Sequence, residues 1–351
     1  MTVSDVPNTN SKRRKRDARF IEIAAEAGVS LSTVNRVLNE LGSVSESARA
    51  RVIEAARRLA VKRVLPEVHH GLTHIDIVLS LADTPLLKRI SSALIRIIQM
   101  LDRNTQIHRI IVPDDESKVL AAIQQQKHKR KGLIVMARNT PKITSALEAV
   151  IQSGTKVVTM VSDIDLIGRL SYSGIDNYQA GSTAAWFIRK MVREQGCVLK
   201  LVANDYLRAH CDRSKGFSDA LAGSGLIEIE VETQDKDIGC YQAVSKALSE
   251  HNILAIYNSG YGSDGVMRAL HEHDAVGRVV WVAHEMYDHH NEYLRTGAIS
   301  LILDQDPDTQ VMVAVQQVLH ACGVIESGPQ AGPVEFRVFC QANRRETRYN
   351  E

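Results

Sequence analysis

Two sets of polar residues in this chain stand where they could do chemistry. The first lies in residues 20–39, FIEIAAEAGVSLSTVNRVLN. There Ser30, Leu31, Ser32, Thr33, Asn35, Arg36 and Asn39 fall between apolar positions at helical spacing. Small hydroxyl and amide side chains with one Arg, carried on a short helix, suit entry into a DNA major groove and contact with base edges. The second set is scattered. Ser80, Asp83, Thr84, Asp163, Asn258, Glu285 and Gln305 each follow an apolar run, and Arg213 lies within CDRSKGF. An Arg, acids and amides converging on one site would bind adjacent hydroxyls through paired hydrogen bonds. Taken singly, such residues also serve as strand-end and helix-capping groups.

The elements that would hold the first set are legible from spacing. Ile21, Ile23, Ala24 and Ala27 form an apolar stripe, and Gly28 ends that helix where a turn needs positive φ. Ser30 is placed to cap a second helix whose inner side is Val34, Val37 and Leu38. The same pattern also builds buried two-helix corners. A third helix is expected over Glu46–Leu59, started by Ser45, with Val52, Ile53, Ala56 and Leu59 on one face. The segment AVKRVLPEVHHGLTH, with Pro66 and Gly71, reads as a linker. The boundaries that follow are a disordered basic arm at 1–17, a helix-turn-helix head at 18–62, a linker at 63–73 and a second domain at 74–351.

From Ile75 the pattern alternates between apolar runs and amphipathic segments. Strands are expected at 75–80, 107–112, 132–137, 156–161, 198–203, 227–232, 253–258, 279–283 and 299–303. That number suits two parallel sheets in two lobes, with ligands bound beyond the strands' carboxyl ends. Charge is divided unevenly. Residues 1–65 hold 13 Lys or Arg against 7 Asp or Glu, a net +6, whereas the whole chain is only +2. A basic head on a mildly acidic body fits a nucleic-acid module joined to something else, and KRRKR at 12–16 would contact phosphates without reading sequence.

Several classes are disfavoured. No apolar run approaches membrane-spanning length, and the N-terminus lacks a signal peptide's apolar core, so a cytoplasmic protein, nucleoid-associated when bound to DNA, is expected. Five widely spaced cysteines without a CxxC pair read as thiols. HEHD (271–274) and DHH (288–290) lack a third and fourth ligand at metal-site spacing, so no metal or other cofactor is expected. GYGSDG (260–265) lacks the phosphate-loop Lys and the GxGxxG spacing, and no Ser-His-Asp or GxSxG arrangement stands out. Binding rather than turnover is the expected activity.

The run IAAEAGVSLSTVNRVLN, followed by VSESARARVIEAARRL, resembles the DNA-binding head of lactose-repressor (LacI/GalR) type regulators. GIDNYQAGSTAAWFI, RSKGFSDAL, YNSGYGSDGVMRAL, HE and LILDQDPDTQ resemble that family's effector domain, which is similar to periplasmic sugar-binding proteins of the ribose-binding type. The resemblance implies a helix-turn-helix head plus two Rossmann-like α/β lobes, and a homodimer on a palindromic DNA operator. It also implies an operator released or gripped when a small sugar or polyol closes the cleft. By motif, Leu31, Ser32 and Arg36 would face bases, while Ser30, Thr33 and Asn39 approach the backbone. Ser80, Thr84, Asp163, Arg213, Asn258, Glu285 and Gln305 fall at sugar-contacting positions. The chain departs from the family at two places. Leu86 and Leu87 stand where sugar-binding relatives often carry aromatics, so a ligand beside Leu87 would be smaller, a flexible polyol, or held by a ring from elsewhere such as Tyr206 or Tyr261. No Asn-x-x-Ala-Arg-x-Leu hinge is visible in VKRVLPEVHHGL, where Leu65 and Leu72 are the nearest apolar substitutes. An activator or constitutive DNA binder with a non-sugar effector, or a transport protein, are the alternatives; the basic head weighs against the last.

Overall fold

The computed structural model describes residues 20–39, 41, 44–59, 61, 72–80, 84–101, 104–125, 128–203, 207–330 and 332–345. Contacts divide the chain after Leu72. The basic arm, most of the linker with Leu65, Asp83 and Tyr206 lie outside the described residues.

Among its described residues the first unit has three helices: α1 over 20–27, α2 (Leu31–Leu38) and α3 (Glu46–Arg58). Ile23, Ala27, Val34, Val37, Leu38, Val52, Ile53 and Ala56 form its core. Two expectations need correction. Ile21 is exposed, because the buried stripe of α1 runs through Phe20, Ile23, Ala24 and Ala27, at offsets of three and four. Leu59 caps the end of α3 and is also exposed; Ala55 takes its place inside. Gly28 turns the chain at φ 61°, and Ser30 and Ser45 each accept a hydrogen bond from the backbone three residues on.

The second unit holds two sheets. In chain order its elements begin with β1 (Thr73–Ser80), α4 (Pro85–Met100), β2 (Thr105–Val112), α5 (Glu116–Gln124), β3 (Arg130–Met136), α6 (Pro141–Gln152), β4 (Lys156–Met160) and β5 (Ser171–Ser173). These strands make an all-parallel sheet in the order β2-β1-β3-β4-β5. Next come α7 (Asn177–Met191), β6 (Cys197–Val202), α8 (Arg208–Leu221), β7 (Ile227–Glu232), α9 (Asp237–Glu250), β8 (Ile253–Asn258), α10 (Ser263–Glu272), β9 (Val280–His284), α11 (Asp288–Thr296) and β10 (Leu301–Asp304). With β11 (Arg337–Phe339) antiparallel on its edge, the second sheet runs β11-β10-β9-β8-β6-β7. The chain returns to the first lobe as α12 (Pro307–Ala321), whose Val311, Val315 and Val318 join the core around Ile75, Ile77 and Leu79. It then crosses back, pairing Val334 with Ile175 of an earlier crossing.

The apolar runs predict nine of the eleven strands found among the described residues. β5 and β11, three residues each, are too short to carry a periodic signal. Leu87, expected at the ligand, is instead packed in the first lobe's core; it points inward because α4 buries Leu87, Ile90, Ala93 and Leu94 on one face.

Helices α7 and α8 approach more closely than side chains allow. A methyl on Gly181 would lie 2.0 Å from the carbonyl oxygen of Arg213, and one on Gly216 would lie 2.0 Å from that of Tyr178. This contact fixes the backbone that carries Arg213. Gly181→Ala must therefore push the helices apart, and we expect a loss of about 1–3 kcal/mol in thermal unfolding together with displacement of Arg213. A wild-type melting temperature in this variant would show that the approach is not constrained.

Candidate functional site

On α2 the residues Leu31, Ser32, Asn35, Arg36 and Asn39 are exposed, and at about 100° per residue they share an arc of about 140°. Val34, Val37 and Leu38 occupy the opposite side. Thr33, half-buried, borders that arc, and its hydroxyl bonds Ser30 Oγ at 2.8 Å, so both side chains are engaged in starting the helix. Asn39 donates to Asn35 Oδ1 at 2.7 Å, which aligns two amides along the helix. The result is a preorganised polar strip with Arg36 at one edge.

The second set meets in the cleft between the two sheets, at a cavity of about 100 Å³. Thr84, Arg213, Glu285 and Gln305 line it. Thr84 caps α4, with Leu87 N donating to its hydroxyl at 3.4 Å. Arg213 donates through Nε to Asn177 Oδ1 at 2.7 Å and through a terminal nitrogen to the Ser259 carbonyl at 3.2 Å. Gln305 Nε2 donates to Glu285 Oε1. Glu285 is reached from the other lobe as well: Arg89 of α4 lies 3.2 Å from Glu285 Oε2 and donates two bonds, 2.5 and 3.0 Å, to Asp304. Arg208 pairs with Asp165, and Ala209 N donates to Ser162 Oγ at 3.2 Å, so the lobes are tied at further points.

Besides Leu87, three expected ligand residues do not line the cavity. Ser80 donates to the Pro113 carbonyl at 3.3 Å. Asn258 folds back on its own turn, toward Ser263 and Gly260. Asp163 accepts from Thr159, the Ile164 backbone and Arg169, and lines a separate pocket with Asp176 and Asp212. Each stabilises a loop at a strand end, which is what short polar side chains there commonly do. Conversely, Leu86 does line the cavity, with Tyr261 and Tyr287 supplying rings and Val161, Met136 and Leu207 apolar wall. Among lining residues, Val161, Asp235 and Glu285 hold φ of 66°, 54° and 69°. Such conformations are costly for side chains other than Gly, most of all for a β-branched one, and they cluster at functional sites.

Residues 20–62 match the lacI family of bacterial regulatory proteins, and residues 74–323 match the periplasmic binding protein domain. The chain belongs to the lacI family. It is thus a DNA-binding transcriptional regulator whose two-lobe domain is the effector module. No curated protein matches it in sequence. Among solved structures, a glucose-galactose binding protein from Geobacillus stearothermophilus is similar at a TM-score of 0.70 and 17% identity, covering 78% of this chain and 99% of that one. A solute-binding protein from Burkholderia graminis in complex with D-arabinose gives 0.71 and 22%, covering 78% and 96%. One from Actinobacillus succinogenes with bound D-allose gives 0.69 and 14%, covering 78% and 99%. Those likenesses show the fold.

The electrostatics of this regulator's cleft are set by burial. Burial and the neighbouring Asp304 raise the Glu285 carboxyl to about 7, against the pull of Arg89 and Arg213. Burial would raise Asp304 too, but the hydrogen bonds and charge of Arg89 outweigh it and hold that carboxyl below its usual value. His210 and His284 also line the cavity, and His290 sits behind Glu285, donating from Nδ1 to its carbonyl at 2.6 Å. Burial lowers His210 and His290 to about 4 and His284 well below 6.5, with Arg213 adding to the effect on His210 and His284. Sequence spacing does not single out Arg89, Asp304 or His210 as cleft groups, and it offers His290 only within the cluster DHH. Only their burial marks them. No group of three or more potential metal ligands occurs among the described residues, and none of their helices is long and apolar enough to cross a membrane.

These shifts have opposing signs in stability. A histidine held neutral in the fold but protonated near 6.5 when unfolded loses stability as pH falls from about 6.5 toward about 4. Glu285, protonated up to about 7 in the fold but only to about 4.5 when unfolded, loses stability as pH rises across that interval. Three histidines oppose one carboxyl. The melting temperature should therefore climb from about pH 4.5 to 6.5, and Glu285→Gln should steepen the climb. A melting temperature that falls over this range would contradict the buried, neutral state of the histidines.

Proposed function

We propose that this regulator is a repressor of genes for uptake or catabolism of a sugar or polyol, acting as a homodimer on a palindromic operator. The observation that carries the reading is the union, in one chain, of a polar strip on the second helix of the head with a cleft built around Arg213, Glu285 and Gln305. Structures of the same fold carry D-arabinose and D-allose. Charged and amide groups on both sides of such a cleft bind hydroxyls by paired hydrogen bonds and draw the lobes together. Binding in the cleft alters DNA affinity only by the ligand's preference for one lobe arrangement over another. Nothing in this scheme calls for turnover. The outer face of α4 leaves Ile95, Ile98 and Met100 exposed, and Ile111 on the edge strand β2 is exposed too. That apolar surface supports assignment of the dimer contact to the first lobe.

In this reading Leu31, Ser32 and Arg36 read bases, while Ser30, Thr33, Asn35 and Asn39 set the helix against the backbone. The domain boundaries fall at a basic arm (1–17), a head (18–62), a linker (63–73) and the effector domain (74–351). Arg36→Ala should remove sequence-specific binding, measured by anisotropy against specific and random duplexes, while salt-sensitive non-specific binding persists. Equal weakening on every duplex would sink base reading by Arg36. Arg213→Ala should abolish the ligand's effect on DNA binding and leave DNA affinity itself unchanged; a variant that still responds to the ligand would remove Arg213 from the effector site.

A further inference from the structure

His284 is fully buried and held from behind. Its Nε2 is hydrogen-bonded to the Tyr257 hydroxyl at 2.8 Å, and the Tyr257 ring stacks on Phe217 with centroids 4.4 Å apart. Its other nitrogen, Nδ1, has no hydrogen-bond partner among the described residues, and His284 lines the cavity. His210, partly buried and on the same cavity wall, likewise has a buried Nδ1 without a partner among the described residues. Buried polar atoms are nearly always satisfied, so two orphans on one cavity point to a ligand that completes them.

We propose that His210 and His284 select the effector, through Nδ1 of each ring, for an uncharged polyhydroxylated molecule, a free sugar or polyol rather than its phosphorylated, carboxylated or aminated derivative. The inference rests on the cavity being the effector site. A hydroxyl is both donor and acceptor, so it satisfies an imidazole nitrogen whichever tautomer the Tyr257 hydroxyl imposes. A phosphate or carboxylate only accepts, and an ammonium only donates. The fixed charges agree. An anion would meet the carboxylate of Asp235 and the carboxyl of Glu285, and a cation would meet the guanidinium of Arg213. Apolar wall from Leu86, Met136 and Val161 suits the C–H faces of such a molecule.

The test is calorimetric titration of the full-length protein with D-arabinose, D-allose, ribitol and myo-inositol, and with ribose 5-phosphate, gluconate and glucosamine. The proposal expects binding among the uncharged probes only. Glutamine at position 284 keeps a polar group for Tyr257 and leaves nothing at Nδ1, whereas asparagine places its amide near Nδ1. His284→Gln and His210→Gln should each weaken the bound probe roughly five- to tenfold, the worth of one neutral hydrogen bond, and the Asn variants should weaken it less. Melting curves of each variant establish that it folds. A charged probe that outbinds the uncharged ones, or a panel with no uncharged binder, overturns the ligand class. If both Gln variants bind as the wild type while Arg213→Ala does not, the histidine assignment fails and the cavity reading stands. If Arg213→Ala also binds as the wild type, the cavity reading falls and the proposal with it.

Discussion

Arg89 leaves α4 of the first lobe and ends between Asp304 and Glu285 of the second, and the rest of the cleft is arranged around that contact. Burying these charges is costly, and their mutual attraction offsets the cost only when geometry and hydrogen bonds are favourable. Here Arg89 is bidentate to Asp304, Met286 N donates to the same carboxylate at 2.9 Å, and Gln305 covers Glu285. Removing one partner from such a set typically costs about 3–5 kcal/mol, because the remaining charge is left buried. The contact therefore opposes any separation of the lobes. It also leaves Glu285 the less satisfied of the two carboxyls, which is why its proton is held to near neutral pH while that of Asp304 is not.

The strained backbone belongs to the same arrangement. Glu285 holds a left-handed conformation because its N–H donates to Leu303 at 3.0 Å and its carbonyl accepts from His290, so the chain cannot relax without losing both. Val161 is held in the same way, by Ser173 on one side and the Tyr172 hydroxyl on the other. Strain at these positions aims side chains into the cleft from rigid strand ends. A ligand seated there acts on a structure with few soft degrees of freedom, and it shifts populations only by binding one lobe arrangement better than another.

The head was almost entirely legible in the sequence, since its signals are local: a glycine in the turn, two serine caps and apolar offsets of three and four. Ile21 misled because it lies beside the buried stripe, and Leu59 because it keeps the stripe's spacing but falls at the cap that ends α3. The long parallel strands were equally plain: the inner ones are buried on both faces, and the edge strands β2 and β7 still carry apolar runs. The cleft was half legible. Arg213, Glu285, Gln305 and Thr84 converge as expected, but Ser80, Asn258 and Asp163 are occupied in holding their own loops. Local hydrogen bonding and ligand binding call for the same residue types at strand ends, and only distance distinguishes them. His210, His284 and Arg89 are far from one another in sequence and match no spacing, so tertiary burial alone identifies them.

In the proposed function, occupation of the cleft and the grip of the head on DNA are energetically linked. The most direct measurement is reciprocal. DNA affinity is determined by fluorescence anisotropy on a duplex selected from random sequence, with and without saturating ligand. Ligand affinity is then determined by calorimetry with and without that duplex. Both affinities should change by the same factor, well above unity. A factor of one in both experiments would mean that the cleft and the head act independently, and would contradict that linkage.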